Sequence, residues 1–268
     1  MTQNYVHGYT DFENRRLTDQ ARTLDQLLHN DTIYPQGATV LEVGCGIGAQ
    51  TEILCRNNPS LHLTSIDLSE KSLGYAKDRC RSAGITNVDF IQADIYDLPF
   101  DNHSFEHVFI CFVLEHLPDV NKALQKIKPV IKPGGTITVI EGDHGSAYYY
   151  PRSTLAQKTI DCLVELQAGD GGDSLIGRSL YPLLTANNFS NVEVSPRMVY
   201  ADASRPEMVD GFTLKTFIAM VEGIKQRAVG EKMISEEEWE QGISELRQSA
   251  LSTGVFCYTF FKAKGTAD

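Results

Sequence analysis

The sequence predicts an α/β fold of the Rossmann-like type: a mostly parallel sheet with helices on both faces. Three observations predict it. Short apolar strands alternate with helical patterns from Thr39 to about Glu141. The first strand runs straight into a glycine loop that opens a helix. An acid then sits at the end of each of the next two strands, as Asp67 and Asp94. Strands alternating with helices build a parallel sheet covered on both sides. Right-handed crossovers bring the strand C-termini to one edge, where ligands of such sheets bind.

The elements follow in order. Asp11 to Leu28 is expected to be an amphipathic helix, because Phe12, Leu17, Ala21, Leu24 and Leu28 recur at nearly helical steps. Thr10 and Glu13 fit a capping box in front of it. Thr39 to Val43 is the first strand, and Ala49 to Cys55 starts the helix after the glycines. Leu61 to Ile66 is the second strand. Ser69 then caps a helix that reaches about Ser82. Val88 to Gln92 and His107 to Phe112 are strands three and four. Val120 to Ile131 is helical, with Leu124, Ile127 and Ile131 on one side. Lys132-Pro133-Gly134-Gly135 stops it, and Thr136 to Glu141 is strand five.

Beyond Gly142 the pattern loosens. Ser153 to Gln167 and Ile176 to Asn187 are expected helices, separated by a glycine-rich turn at Gly169 to Asp173. Val192 to Val199 is a strand. Glu207 to Val229 and Ser235 to Leu251 are expected helices, and Val255 to Ala263 alternates as a final strand. The stretch from Ala201 to Gly254 is too long for a plain hairpin, so it reads as a helical insertion. The expectation is one domain over 1–268. Within it, 1–30 is a helical cap, 39–143 the core, and 144–190 with 201–254 are helical lid elements.

Composition narrows the function. The chain has 268 residues, 42% of them hydrophobic, which is enough for a continuous core. Its net charge of −11 and lack of a Lys/Arg cluster argue against a nucleic-acid partner. The six cysteines form no CxxC, and no histidine stands at ligand spacing from them. No metal site is therefore expected, and reduced thiols point to the cytoplasm. Met1 to Thr10 lacks a basic stretch followed by an apolar run, and no segment is long and apolar enough for a membrane span.

Chemistry concentrates in Val40-Leu41-Glu42-Val43-Gly44-Cys45-Gly46-Ile47-Gly48. Glycines let the backbone approach a ligand, and the following helix presents free N–H groups. The spacing is G-x-G-x-G, not the G-x-G-x-x-G of nicotinamide enzymes. Glu42 would repel a pyrophosphate but suits a cation. Asp67 lies about 20 residues past the loop, where a carboxylate accepts ribose hydroxyls. Asp94 is placed to accept from an adenine amino group, and Leu68 and Ile95 to sandwich the ring.

On these residues the chain resembles class I S-adenosylmethionine-dependent methyltransferases. It looks closest to the small-molecule branch that includes the ubiquinone/menaquinone-biosynthesis C-methyltransferases. The resemblance also rests on Asp97-Leu98-Pro99-Phe100, on Phe112-Val113-Leu114-Glu115-His116-Leu117-Pro118-Asp119 and on Lys132-Pro133-Gly134-Gly135. It implies a seven-stranded, mostly parallel sheet with an antiparallel last strand, in a three-layer sandwich. It implies S-adenosyl-L-methionine as cofactor, S-adenosyl-L-homocysteine as product, and a small-molecule methyl acceptor. The glycine loop with Gly44, Cys45, Gly46 and Gly48 would line the methionine part, Asp67 the ribose, and Asp94 with Ile95 the adenine. Cys111 and Phe112 would face the methyl group. The alternatives are a nicotinamide-dependent oxidoreductase and a non-catalytic cofactor-binding subunit.

No catalytic base stands out. His116 is the weak candidate, since the same pattern serves packing at a helix start. His144 reads as an exposed loop histidine. Tyr148-Tyr149-Tyr150 reads as packing before acceptor contact, and Arg15, Arg16 and Gln20 as a solvated helix face. The sequence leaves the acceptor atom and the oligomeric state open.

Overall fold

The computed structural model describes residues 11–268, with side chains from Glu13 onward. Thr10 of the expected capping box and the Phe12 side chain lie outside the described residues. Seven strands form one sheet: β1 (Thr39–Val43), β2 (His62–Asp67), β3 (Val88–Gln92), β4 (Phe105–Cys111), β5 (Ile131–Tyr150), β6 (Phe189–Ala201) and β7 (Val255–Ala267). Their order is β3-β2-β1-β4-β5-β7-β6. The first five are parallel, with Val40 opposite Leu63, Glu42 opposite Phe109 and Cys111 opposite Ile140. The last strands are antiparallel, as expected for this sheet. Strand order reverses at β1, so the ends of β1 and β4 mark the ligand edge.

The described chain packs as two compact units. The larger comprises Asp25–Glu141, Ile176–Pro196 and Phe261–Asp268. It holds α2 (Ala49–Asn57), α3 (Glu70–Ser82), α4 (Val120–Ile127) and α6 (Leu180–Ala186). Leu41, Val108, Ile110, Leu124, Ile127, Ile137, Val139 and Leu180 are fully buried in its core. Central parallel strands are covered on both faces, which is why β1 and β4 read as apolar runs. Ser69 caps α3 by accepting from Ser72 N at 3.2 Å, as expected. Lys262 anchors β7 to the chain after α1 (Asp11–His29), with Nζ donating to Leu28 O at 3.0 Å, Asp31 Oδ1 at 2.6 Å and Thr32 Oγ1 at 2.6 Å.

The second unit comprises the described chain from Asp11 to Leu24, Gly142–Leu175 and Arg197–Phe260. Its centre is aromatic: Phe212, Phe217, Phe256, Tyr258 and Phe260 are all buried, with Tyr258 and Phe260 centroids 4.7 Å apart. The helix Glu236–Arg247 starts with a complete Ser235/Glu238 capping box and lies against α5 (Thr154–Gly169). Gly242 permits the approach, since a Cβ there would meet Leu155 O at 2.7 Å.

Three expectations are corrected. The helix from Val120 ends at Ile127, not Ile131. Pro129 supplies no N–H, so one 3₁₀ turn (Lys128–Val130) leads into β5. Strand five is 20 residues long, not six. Lys132 to Gly135 form a register shift against β4. The small residues after Gly142 stay in the sheet beside β7, where the Ser146 hydroxyl accepts from Thr259 N and donates to Thr259 O. Finally, Glu207 to Val229 is not one helix. It includes a π-helix over Val209–Ile218, where Thr216 Oγ1 donates to Gly211 O at 2.7 Å, and short helices Ala219–Gly223 and Lys225–Gly230. Among the described residues, no helix is long and apolar enough to cross a membrane.

Candidate functional site

The site begins where β1 ends. Gly44 N and Cys45 N both donate to Ile66 O, at 2.8 and 2.9 Å, which turns the chain sharply out of the strand. Gly48 starts α2 with φ 76°, and a Cβ there would lie 2.9 Å from Ala76 Cα of α3. Gly46 has φ 53°, yet a Cβ would meet nothing within 4 Å. Gly48 is therefore required by packing, whereas Gly46 borders open space. Gly48→Ala is expected to destabilise the fold by about 2 kcal/mol or more, from overpacking and a left-handed backbone together. Urea unfolding of Gly48→Ala beside Gly46→Ala checks this; equal losses would show that the α3 contact carries no weight.

Glu42 is 2% exposed. Its Oε2 accepts from Thr51 Oγ1 and Ser65 Oγ, both at 2.6 Å. Burial outweighs these bonds and pushes its carboxyl up to about 7. Asp67 joins the loop to α3: Oδ2 accepts from Gly46 N and Oδ1 from Ser69 N, each at 2.8 Å. Burial raises its carboxyl as well, against those two backbone bonds. Each Asp67 oxygen keeps a lone pair for a further donor. Leu68 is 50% exposed beside it. Asp94 is exposed, with Oδ1 accepting from Tyr96 N at 2.9 Å, and Ile95 is half-buried. The five residues thus sit on the strand-end edge in the order the sequence gives them.

The end of β4 supplies the next part. Cys111 is buried, and burial raises its thiol well above the usual value. Phe112 has φ 59°, a costly conformation for a bulky residue. Its N–H donates to Ile140 O at 2.9 Å. The next two N–H groups, Val113 and Leu114, donate to Glu141 Oε1 at 3.0 and 2.8 Å. Glu141 is fully buried at the end of the parallel run of β5. It was missed by sequence reasoning, although it closes strand five as Asp67 closes strand two. His116 ends the 3₁₀ turn Leu114–His116 that follows, half-buried, with Nε2 3.6 Å from Glu115 Oε1.

Three side-chain assignments change in the second unit. His144 is 5% exposed, not a loop residue; its Nδ1 lies 2.7 Å from Tyr258 OH. Tyr149 is buried, stacked at 6.4 Å on Phe256, while Tyr148 and Tyr150 are exposed by strand alternation. Arg16 and Gln20 are not solvated: Arg16 is buried in a two-bond pair with Glu13 and donates to Gln20 Oε1 at 3.0 Å. Arg15 is exposed, as expected. Among the described residues no group of three His, Cys, Asp or Glu side chains is arranged to hold a metal.

The donor set is rich in buried acids and carries an open glycine beside a carboxylate with free lone pairs. It fits a ligand with vicinal hydroxyls and a positive charge, and it fits a pyrophosphate badly. Comparison with known proteins agrees. Residues 41–139 match the family profile of the methyltransferase domain. The chain is 32% identical over 140 residues to a demethylmenaquinone methyltransferase of Staphylococcus aureus, covering 52% of this chain and 57% of that one. An uncharacterized protein of Synechococcus sp. is 32% identical over 152 residues, covering 56% of this chain and 36% of that one. The chain thus spans about a third to just over half of these relatives' length. Among solved structures, a putative methyltransferase from Bacillus halodurans aligns with TM-score 0.59 at 15% identity, covering 91% of this chain and 98% of that one. The [4+2]-cyclase SpnF aligns at 0.58 with 19% identity, covering 92% and 80%. These two share the fold, and the second shows that the fold hosts other chemistry.

Proposed function

We propose that this chain, with a methyltransferase domain over residues 41–139 in a class I fold, transfers the methyl group of S-adenosylmethionine to a small-molecule acceptor. One observation carries the reading: the matched segment contains the glycine loop, Asp67 and the β4 turn, with Gly46 N donating to Asp67 Oδ2 and Gly44 lying so close to Val113 that a Cβ there would meet its side chain at 2.5 Å. Bound S-adenosylmethionine supplies a methyl group already activated on a sulfonium.

In this reading the protein's own work is positioning and water exclusion. Asp67 accepts the ribose hydroxyls while tying Gly46 to α3. Asp94, Leu68 and Ile95 hold the adenine. Gly44, Cys45, Gly46 and Gly48 let the backbone approach the methionine part, and Glu42 offsets its positive charge. Cys111 and Phe112 border the methyl group. His116 is the candidate base for an acceptor that must lose a proton. The segments 144–190 and 201–254, outside the matched residues, choose the acceptor. The acidic net charge supports a small molecule over nucleic acid, and six free, buried cysteines support the cytoplasm.

The test is calorimetric titration of the protein with S-adenosylmethionine, S-adenosylhomocysteine and NADH. Saturable binding of the first two alone supports the reading. Binding of NADH alone would return the oxidoreductase alternative, and no binding of either sulfur nucleoside would remove the donor assignment.

A further inference from the structure

The larger unit collects buried acids at one place. Glu141, Glu42 and Glu115 all act to raise the Cys111 thiol, and Lys262 acts to lower it. That lysine is already committed to Asp31. All three acids are buried. Surplus buried negative charge is costly, and burial accordingly raises the Glu42 and Glu141 carboxyls.

The members are not equivalent. Glu42 has two hydroxyl donors on Oε2. Glu115 lies 3.6 Å from His116. Glu141 uses Oε1 for the Val113 and Leu114 N–H groups, and the Glu115 N–H also faces the carboxyl, but its buried Oε2 makes no hydrogen bond of good geometry among the described residues. A fully buried carboxyl oxygen without such a bond marks a missing ligand, water or ion.

We propose that Glu141 is the charge-responsive residue of the donor site: its carboxyl releases a proton to solvent when a sulfonium ligand binds, and keeps it when the neutral thioether product binds. The proposal rests on the methyl-donor reading above. The two ligands differ by one methyl group and one positive charge, so any difference in proton count reports that charge. The O–H bond of the carboxyl breaks, the proton passes to buffer, and the carboxylate offsets the sulfonium. Burial and then Glu115 raise the Glu141 carboxyl well above the usual carboxylate range, so the proton is there to be lost. Linkage fixes the sign. Preference for the sulfonium over the thioether rises with pH until Glu141 is ionised without ligand. Glu141 is a positioning and charge-compensating residue, because it also fixes the turn that begins at Phe112.

The test is calorimetry of S-adenosylmethionine and S-adenosylhomocysteine binding in buffers of different ionisation enthalpy, for the full chain and for Glu141→Gln. Glutamine keeps an acceptor oxygen for the turn and loses the proton. In the unmodified protein the sulfonium is expected to release more protons than the thioether. In Glu141→Gln that difference is expected to vanish, with sulfonium affinity lower by about tenfold and thioether affinity unchanged. A merely structural Glu141 would lower both affinities together and leave the proton difference in place. Equal proton counts in the unmodified protein, which needs no variant, overturn the proposal alone. A difference lost in Glu42→Gln but kept in Glu141→Gln overturns it too. Failure of both ligands to bind overturns the donor reading itself, and this proposal with it.

Discussion

Asp67→Ala is expected to weaken S-adenosylmethionine binding by about 1–3 kcal/mol, the usual cost of removing the acceptor of charge-assisted hydrogen bonds. That corresponds to roughly 5- to 150-fold in affinity. The variant loses the acceptor for Gly46 N and Ser69 N as well as for the ligand. Helix α3 keeps its own cap, since Ser69 Oγ still accepts from Ser72 N. The damage is therefore expected in the loop and in binding, measured by calorimetry, with small change in unfolding. Stability carries a sign of its own. Burial raises the folded Asp67 carboxyl. The wild type thus loses stability as pH rises through the interval above the unfolded value, and Asp67→Ala does not. Relative to wild type, the variant is expected to look better at neutral pH than at pH 4 in urea unfolding. Unchanged affinity in a folded variant would show that the ribose lies elsewhere.

Trp239→Ala is expected to have the largest effect on stability, about 3–5 kcal/mol. Trp239 is the single tryptophan and is 1% exposed. It lies on the buried face of its helix with Ile243 and Leu246. The nearby Gly242 already sits against the Leu155 carbonyl, so the helix cannot move closer to fill the void. Equilibrium unfolding in urea measures the loss, and a drop under about 1 kcal/mol would mean the site collapses freely. The donor-site residues belong to the other unit, so S-adenosylmethionine affinity is expected to hold under conditions where the variant stays folded.

The first half of the fold was legible because its signals are local. Strands β1 and β3 fall at the residues that their apolar runs mark. Ser69 caps the helix it precedes, and the same local signal recurs later at Ser153 and Ser235. Asp67 was legible as the acid that closes β2, but its bond to Gly46 N was not, because it joins residues 21 positions apart. Later signals are not local. Strand five continues past Gly142 because β7, more than 100 residues away, pairs with it at Ser146. His144 is buried by Tyr258 and Phe217, which no short window joins. The π-helix at Val209–Ile218 keeps an apolar, helix-like composition and hides its change of pitch. Arg16 looked solvated because its partner Glu13 is one turn away, a spacing that serves exposed and buried pairs alike.

The raised thiols at the ligand edge bear on a hazard that any methyl donor brings. Thiolates are strong nucleophiles, and the reactive form of cysteine is the thiolate. Cys45 lies in the glycine loop and Cys111 at the end of β4, both inside the proposed donor site. Burial is the largest cause that raises both thiols and keeps each of them protonated, and a charge on the neighbouring acids acts in the same direction. In the proposed donor site, the burial that raises the acids thus also holds the neighbouring sulfur atoms in their unreactive thiol form, where a bound sulfonium would find no thiolate to methylate.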